Sequence, residues 1–98
     1  MSSADDTLDR MLRAIADASR RRILRTLEAG EGVAGRPAGL CASEIEMRIG
    51  LSQPTVSHHM SILVKAGLVE ARKMGRWRWY CRNEVALREF SSKLRDSL

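Results

Sequence analysis

The segment between Gly50 and Gly67 carries side chains suited to hydrogen bonding with DNA bases. Ser52 is a preferred N-cap residue, Pro54 is tolerated in a first helical turn, and Gly67 is a typical helix stop. Apolar residues recur at helical spacing and leave a second face of small polar groups. Hydroxyl, amide and imidazole groups donate to and accept from base edges in the major groove. The predicted recognition residues are Ser52, Gln53, Thr55, Ser57, His58 and Ser61.

Positive charge is concentrated just after this helix. Residues 65–82 carry six Lys and Arg side chains against the single carboxylate of Glu70, which equals the whole formal charge of +5. Clustered positive charge is typical of a surface that binds a polyanion, and charge alone leaves duplex DNA, RNA and an anionic membrane open. Two short strands, 68–72 and 77–82, flank a turn with Gly75 and predict a hairpin. The residues expected to contact phosphates or the minor groove are Arg72, Lys73 and Arg76.

Capping residues and apolar periodicity predict four helices before this hairpin and one after it. Asp17 can cap the second helix, Ser43 and Glu46 have capping-box spacing for the third, and Asn83 can cap the last. The other predicted helices cover about residues 6–16, 18–29, 44–49 and 84–97, with a Gly-rich loop at 30–39. The predicted fold class is mainly α with a small β-hairpin. Its order of four helices, two strands and a fifth helix is that of a winged helix-turn-helix.

The length of 98 residues fits one domain with a modest core, spanning 1–98. A chain this short is expected to cover apolar helix surface with a partner subunit. No apolar run approaches the roughly 20 residues of a membrane span. The N-terminus is acidic, unlike a signal peptide, so we expect a cytoplasmic protein without membrane association.

The residues that commonly hold metals or perform catalysis are sparse. His58 and His59 are adjacent, so their side chains point about 100° apart on a helix and do not readily share one ion. We expect His58 to contact DNA and His59 to pack beside the core. Cys41 at a loop edge and a buried Cys81 are interpreted as reduced packing thiols, with a thiol sensor as the alternative. No catalytic triad, phosphate-binding glycine loop or paired carboxylates are present, which predicts neither an enzyme nor a bound cofactor.

Four separated segments resemble the ArsR/SmtB family of winged-helix repressors. They occur in the family's order and together span nearly the whole chain, which is more specific than any one of them. The segments are Asp17–Leu24 (DASRRRIL), Leu51–Met60 (LSQPTVSHHM), Ala66–Val69 (AGLV) and Gly75–Tyr80 (GRWRWY).

The resemblance implies a homodimer joined through the first and last helices, at about 6–16 and 84–97. It also implies binding to an imperfect inverted repeat in double-stranded operator DNA, and release when an inducer binds. The dimer residues expected from this resemblance are Leu8, Leu12, Leu87, Phe90 and Leu94.

The chain departs from the metal-sensing members of that family. Their Cys-x-Cys pair is replaced by Cys41-Ala42-Ser43, and one thiol beside a hydroxyl is a poor soft-metal site. The last helix offers Glu89 and Asp96 among its acids but no histidine. We therefore expect no metal, and the sequence leaves the inducer unidentified.

Three alternatives stay open at this point. The module could instead dock an acidic protein through its basic hairpin, although interfaces favour apolar anchors that the predicted recognition face lacks. Trp77 and Trp79 share a strand face, where core or subunit packing is favoured over base stacking. The arginines at 20–22 with Arg25 are either a solvated helix face or an electrostatic assist to DNA binding.

Overall fold

The computed structural model describes residues 3–28 and 38–98. The part of the predicted loop at 30–37 lies outside the described residues. The predicted fold class is confirmed, because the chain forms helices around a small antiparallel sheet in the order β1-β3-β2. The elements are α1 (Ser3–Ile15), α2 (Ala18–Glu28), β1 (Leu40–Cys41), α3 (Ala42–Ile49), α4 (Gln53–Lys65), β2 (Val69–Met74), β3 (Trp77–Arg82) and α5 (Glu84–Ser97).

The strand β1 is an addition to the predicted hairpin. Leu40 pairs with Tyr80, and Cys41 pairs with Trp79, so this two-residue strand extends the sheet on the far side of β3. Gly39 precedes it with φ +105, and a Cβ there would lie 2.2 Å from the Tyr80 carbonyl oxygen. Only glycine tolerates both the positive φ and this close approach. The glycine therefore permits the chain to enter the sheet.

The start of α3 differs from the predicted one. Cys41, with extended backbone at φ −81 and ψ 164, is the N-cap, and its amide donates to Glu44 Oε1 at 3.3 Å. The capping interaction therefore uses Cys41 and Glu44, and the predicted pair Ser43 and Glu46 was wrong. Both pairs have the three-residue spacing of a capping box, so the sequence does not distinguish them. Cys41 is the N-cap because it pairs with β3 and is the last residue with extended backbone. The helix ends as predicted at Gly50, whose φ is +75.

The core lies where α2, α3 and α4 meet the sheet. Its apolar residues recur at helical spacing, so one face of each helix turns inward. Burying each such side chain contributes roughly 1.5–3 kcal/mol. The most deeply buried side chains include Ile23, Leu40, Ile45, Val56, Met60, Leu63 and Leu68.

The helices α1 and α5 pack against one another beside this core. Phe90 is buried, whereas the other four residues predicted to form a dimer interface are only partly buried. The pair of helices therefore leaves apolar surface at Leu8, Leu12, Leu87 and Leu94. Among the described residues, no helix is both long enough and apolar enough to cross a bilayer.

Asp17 caps α2, as the sequence predicted. Its Oδ1 accepts a hydrogen bond from the Arg20 amide at 3.0 Å, and this bond is the main reason that the pKa of Asp17 is lowered from 3.8. The charge of Arg20 lowers it further, while burial opposes this effect. A carboxylate whose pKa is lower in the folded chain stabilises the fold above its unfolded pKa, and that stabilisation is lost as the pH falls through the folded value.

We expect Asp17→Asn to remove this acid dependence while retaining the cap, because asparagine is an equally good N-cap residue. In urea unfolding between pH 7 and pH 3, the difference in free energy of unfolding between wild type and Asp17→Asn should shrink as the pH falls below about 4. Asp17→Ala, which also removes the cap, should be the less stable variant at neutral pH. Parallel pH profiles for wild type and Asp17→Asn would contradict the assignment.

Candidate nucleic-acid interface

The helix α4 presents its polar face to solvent. Ser52 is the N-cap residue, its hydroxyl lies 2.9 Å from the Thr55 hydroxyl, and Pro54 occupies the first turn. Val56 and Met60 are among the buried residues that fix the helix to the core. The six predicted recognition residues are all exposed, and they are Ser52, Gln53, Thr55, Ser57, His58 and Ser61.

The turn before α4 gives the pair of helices its geometry. Gly50 adopts a left-handed conformation, and its amide donates to the Glu46 carbonyl at 2.8 Å. Both α3 and α4 pack on α2. The arrangement is a helix-turn-helix in which α3 supports α4 from behind.

The strands β2 and β3 form the wing beside this helix. The last pair of the ladder joins Met74 to Trp77, so Gly75 and Arg76 form a two-residue turn. Gly75 has φ +62 and Arg76 has a negative φ, a combination typical of a type II′ hairpin turn. The wing residues predicted to contact DNA are all exposed, and they are Arg72, Lys73 and Arg76.

Two contacts orient these cations without burying them. Arg72 Nη2 lies 3.9 Å from Glu70 Oε2, in an ion pair whose members are both largely exposed. The Arg76 guanidinium lies 5.8 Å from the centre of the Trp77 ring. Exposed contacts of these kinds contribute little to stability, so both cations are available to a ligand.

A groove of about 210 Å³ separates α4 from the wing. Ser57, Ser61, Lys65 and Arg78 line it together with apolar side chains from both elements. Arg78 was missing from the predicted wing residues. Arg78 and the buried Tyr80 are two residues apart on β3, so both lie on the strand face that meets α4. The alternation was visible in the sequence, but which face meets the helix was not.

One cation of residues 65–82, Arg82, forms contacts within the fold. Arg82 Nη1 lies 3.3 Å from Glu28 Oε2, and Arg82 Nη2 donates to Glu84 Oε1 at 3.0 Å. The same side chain donates to the Leu24 carbonyl at 3.3 Å. Arg82 therefore ties the sheet to α2 and α5, and the exposed positive charge of the segment lies in its other five cations.

The arginine run at the start of α2 caps other helices. Arg21 donates to the Ile15 carbonyl at 2.7 Å, and Arg22 donates to the Ile49 carbonyl at 3.1 Å and the Arg48 carbonyl at 3.3 Å. The last carbonyls of a helix have no partner within the helix, and a nearby cation also complements the helix dipole. Arg21 therefore caps α1, and Arg22 caps the helix that supports α4.

Arg20 joins α1 to α4. Its Nη2 donates to the Arg13 carbonyl at 3.1 Å, its Nε donates to the Ala14 carbonyl, and its Nη1 lies 3.2 Å from Nδ1 of His59. His59 is buried against the core, as the sequence predicted. Because a guanidinium can only donate, Nδ1 of His59 is the acceptor, and the imidazole proton is on Nε2.

The tryptophans do not form the core of this chain. Trp77 is 55% exposed, and Trp79 is half-buried with its Nε1 donating to the Ala38 carbonyl at 2.7 Å. Tyr80, on the opposite strand face, is buried instead. The expectation of tryptophans packed in the core was wrong for this chain, because the helices cover the face that carries Tyr80.

The two thiols differ from expectation. Cys41 is buried and Cys81 is half-buried, the reverse of the prediction. Cys41 Sγ lies 3.3 Å from Glu44 Oε1, and Cys81 Sγ lies 3.9 Å from Glu70 Oε2. Desolvation raises the pKa of Cys81, and the charge of Glu70 raises it further. Across residues 3–28 and 38–98, no three His, Cys, Asp or Glu side chains are grouped in a way that could hold a metal ion.

Comparisons with known proteins agree with this geometry. A helix-turn-helix domain family matches residues 15–72. The arsenical resistance operon repressor of Staphylococcus aureus is 38% identical over 87 residues, which cover 89% of this chain and 76% of that protein.

Two solved structures share the fold. An ArsR-like transcriptional regulator from Rhodococcus has a TM-score of 0.79 and 25% identity, over 97% of this chain and 82% of its own. A homodimeric winged helix-turn-helix DNA-binding domain from Mycobacterium bovis, described as that of a possible ArsR-family transcriptional regulator, has a TM-score of 0.72 and 28% identity. That match covers 94% of this chain and 79% of the other.

We expect Arg20→Lys to lower the free energy of unfolding by about 1–3 kcal/mol, because an ammonium cannot replace a planar fork that serves three acceptors. Urea unfolding measures the loss. Arg21→Lys is the matched control, since the contact found for Arg21 is with one carbonyl of α1 and does not reach α4. Equal losses for the two variants would show that the contact with His59 does not contribute.

Proposed function

We propose, from the premise that this chain belongs to the ArsR family of winged helix-turn-helix transcriptional regulators, that it is a repressor which binds an inverted-repeat operator as a homodimer and is released by an inducer. The observation that carries the proposal is the exposed polar face of α4 beside a cationic wing. One element offers groups that read bases, and the other offers charges that hold phosphates. Together they supply the base contacts and the phosphate contacts that a DNA-binding domain needs.

In this proposal α4 enters the major groove with its N-terminal end against the bases. Gln53 pairs through two hydrogen bonds with adenine, and Ser57 and His58 donate and accept at neighbouring base edges. The small side chains of Ser52, Thr55 and Ser57 let the helix axis come close to the bases. Ser52 and Thr55 lie at the helix start, where hydroxyls and amides reach phosphates.

The wing supplies contacts that do not depend on sequence. Arg72, Lys73 and Arg76 neutralise phosphates or enter the minor groove from the exposed hairpin. We add Lys65 and Arg78 to this set, because they line the groove between α4 and the wing where the edge of a DNA backbone would run. Each neutralised phosphate releases counterions, so binding should weaken steeply with salt.

A homodimer accounts for the apolar surface on α1 and α5. Leu8, Leu12, Leu87 and Leu94 are partly exposed around the buried Phe90, and a two-fold symmetric partner would cover them with the same residues. The solved domain from Mycobacterium bovis is described as homodimeric. A two-fold protein places two copies of α4 in opposite orientations, which requires an inverted repeat in the DNA.

We propose that Cys41 and Cys81 pack within the fold and do not sense the inducer. The thiolate is the form that oxidants attack, and a carboxylate beside a thiol disfavours that form. Glu70 lies beside Cys81, and Cys41 is buried. The alternative module that docks an acidic protein is less favoured, because the exposed face of α4 lacks apolar anchors.

Base contacts and phosphate contacts should respond differently to substitution. Gln53→Ala is expected to reduce discrimination at one base position by about 1–3 kcal/mol, while Arg76→Ala weakens binding to every duplex and lowers the salt slope by about 1. Fluorescence anisotropy with operator and random duplexes at several salt concentrations measures both effects. Arg25→Ala, a charge loss on the exposed side of α2, is the matched control. Equal losses on operator and random DNA for Gln53→Ala would contradict base reading.

A further inference from the structure

A second cleft lies on the side of α4 that faces away from the wing. Ile62 lines it, whereas Val64 lines the groove beside the wing, and side chains two residues apart on a helix point about 160° apart. The cleft has a volume of about 620 Å³. Its other lining residues come from α1, from the start of α2 and from the end of α4, and they are Arg10, Arg13, Ala14, Arg20 and Lys65.

The rim of this cleft is cationic. Four of its six lining residues are Arg or Lys, and none is acidic. Arg20 already donates to α1 carbonyls and to His59, so it contributes charge more than free donors. Arg10, Arg13 and Lys65 are exposed, and none forms an ion pair within the described parts of the chain. Their donors are available to an anion.

The floor of the cleft is apolar. Ile62 is partly buried and exposes apolar surface on the floor, whereas Ala14 is fully buried and closes the cleft from below. Sites for small ligands typically enclose about 300–1,000 Å³ with mostly apolar walls and a few polar groups that fix orientation. The combination fits a small organic anion, with its carboxylate or sulfonate at the rim and its apolar body on the floor.

We propose that this cleft binds a small organic anion and that its occupancy weakens DNA binding. The effect on DNA rests on the proposed function, whereas the binding of the anion does not. Lys65 lines both this cleft and the groove beside the wing. An anion held here draws Lys65 away from DNA and adds negative charge beside the phosphates, so the two ligands oppose one another. By thermodynamic linkage, bound DNA must reduce the affinity for the anion by the same factor by which the anion reduces the affinity for DNA.

The first experiment titrates the DNA-free protein with 1-anilinonaphthalene-8-sulfonate and follows its fluorescence. N-phenyl-1-naphthylamine, which has the same rings without the sulfonate, is the matched probe. We expect saturable binding of the sulfonate, and binding at least about fivefold weaker for the neutral probe. The double variant Arg10→Gln/Arg13→Gln should bind the sulfonate roughly tenfold more weakly, because two exposed charge contacts are lost. Arg25→Gln should leave its affinity unchanged.

The second experiment measures DNA affinity by anisotropy with and without saturating sulfonate. We expect a loss of about fivefold or more for the wild type, and a smaller loss for Arg10→Gln/Arg13→Gln. Equal sulfonate affinity for the wild type and this double variant would overturn the site. So would sulfonate binding that weakens as protein concentration rises, since a second copy of the chain would then cover the cleft.

The outcomes for the site and for the proposed function can be told apart. Sulfonate binding that depends on Arg10 and Arg13, with DNA affinity unchanged on saturation, would overturn the coupling. Failure of the sulfonate-free protein to bind any duplex would contradict the proposed function and leave the first experiment intact.

Discussion

The contact between Arg20 and His59 is the interaction on which the arrangement of the helices depends. One guanidinium at the start of α2 reaches the last carbonyls of α1 and the buried imidazole of α4. The first of these helices, α1, has partly exposed apolar surface, and the second, α4, has the exposed polar face. Because three acceptors share one rigid fork, the tilt of α4 relative to α1 is coupled to the geometry of a single side chain.

Some cations of the chain stabilise the fold, and others are exposed to solvent. Arg20, Arg21 and Arg22 are largely used to cap helices, and Arg82 ties the sheet to α2 and α5. Other exposed cations lie on both sides of α4, with Arg78 on the wing and Arg13 on α1. The capping arginines hold the helices in place, and the exposed cations surround the polar face that those helices position. A formal charge of +5 describes neither role.

The features predicted correctly from the sequence are local ones. The polar face of α4 follows from the cap at Ser52 and from helical periodicity, both contained in one segment. The strand β1 is only two residues long and exists through pairing with β3, which leaves no periodic signal. The Arg20 contact joins residues 39 positions apart, so a run of arginines is equally compatible with a solvated face. The faces of β3 both carry large side chains, and only packing against the helices selects the one with Tyr80.

In the proposed function, two copies of α4, held by one dimer, read two half-sites on the same face of duplex DNA. Selection of tightly bound sequences from a pool of random duplexes, followed by sequencing, tests it most directly. We expect an enriched inverted repeat whose half-site centres are about 10–10.5 base pairs apart, or a multiple of that spacing. Enrichment of one unpaired half-site, or no enrichment over the starting pool, would contradict it.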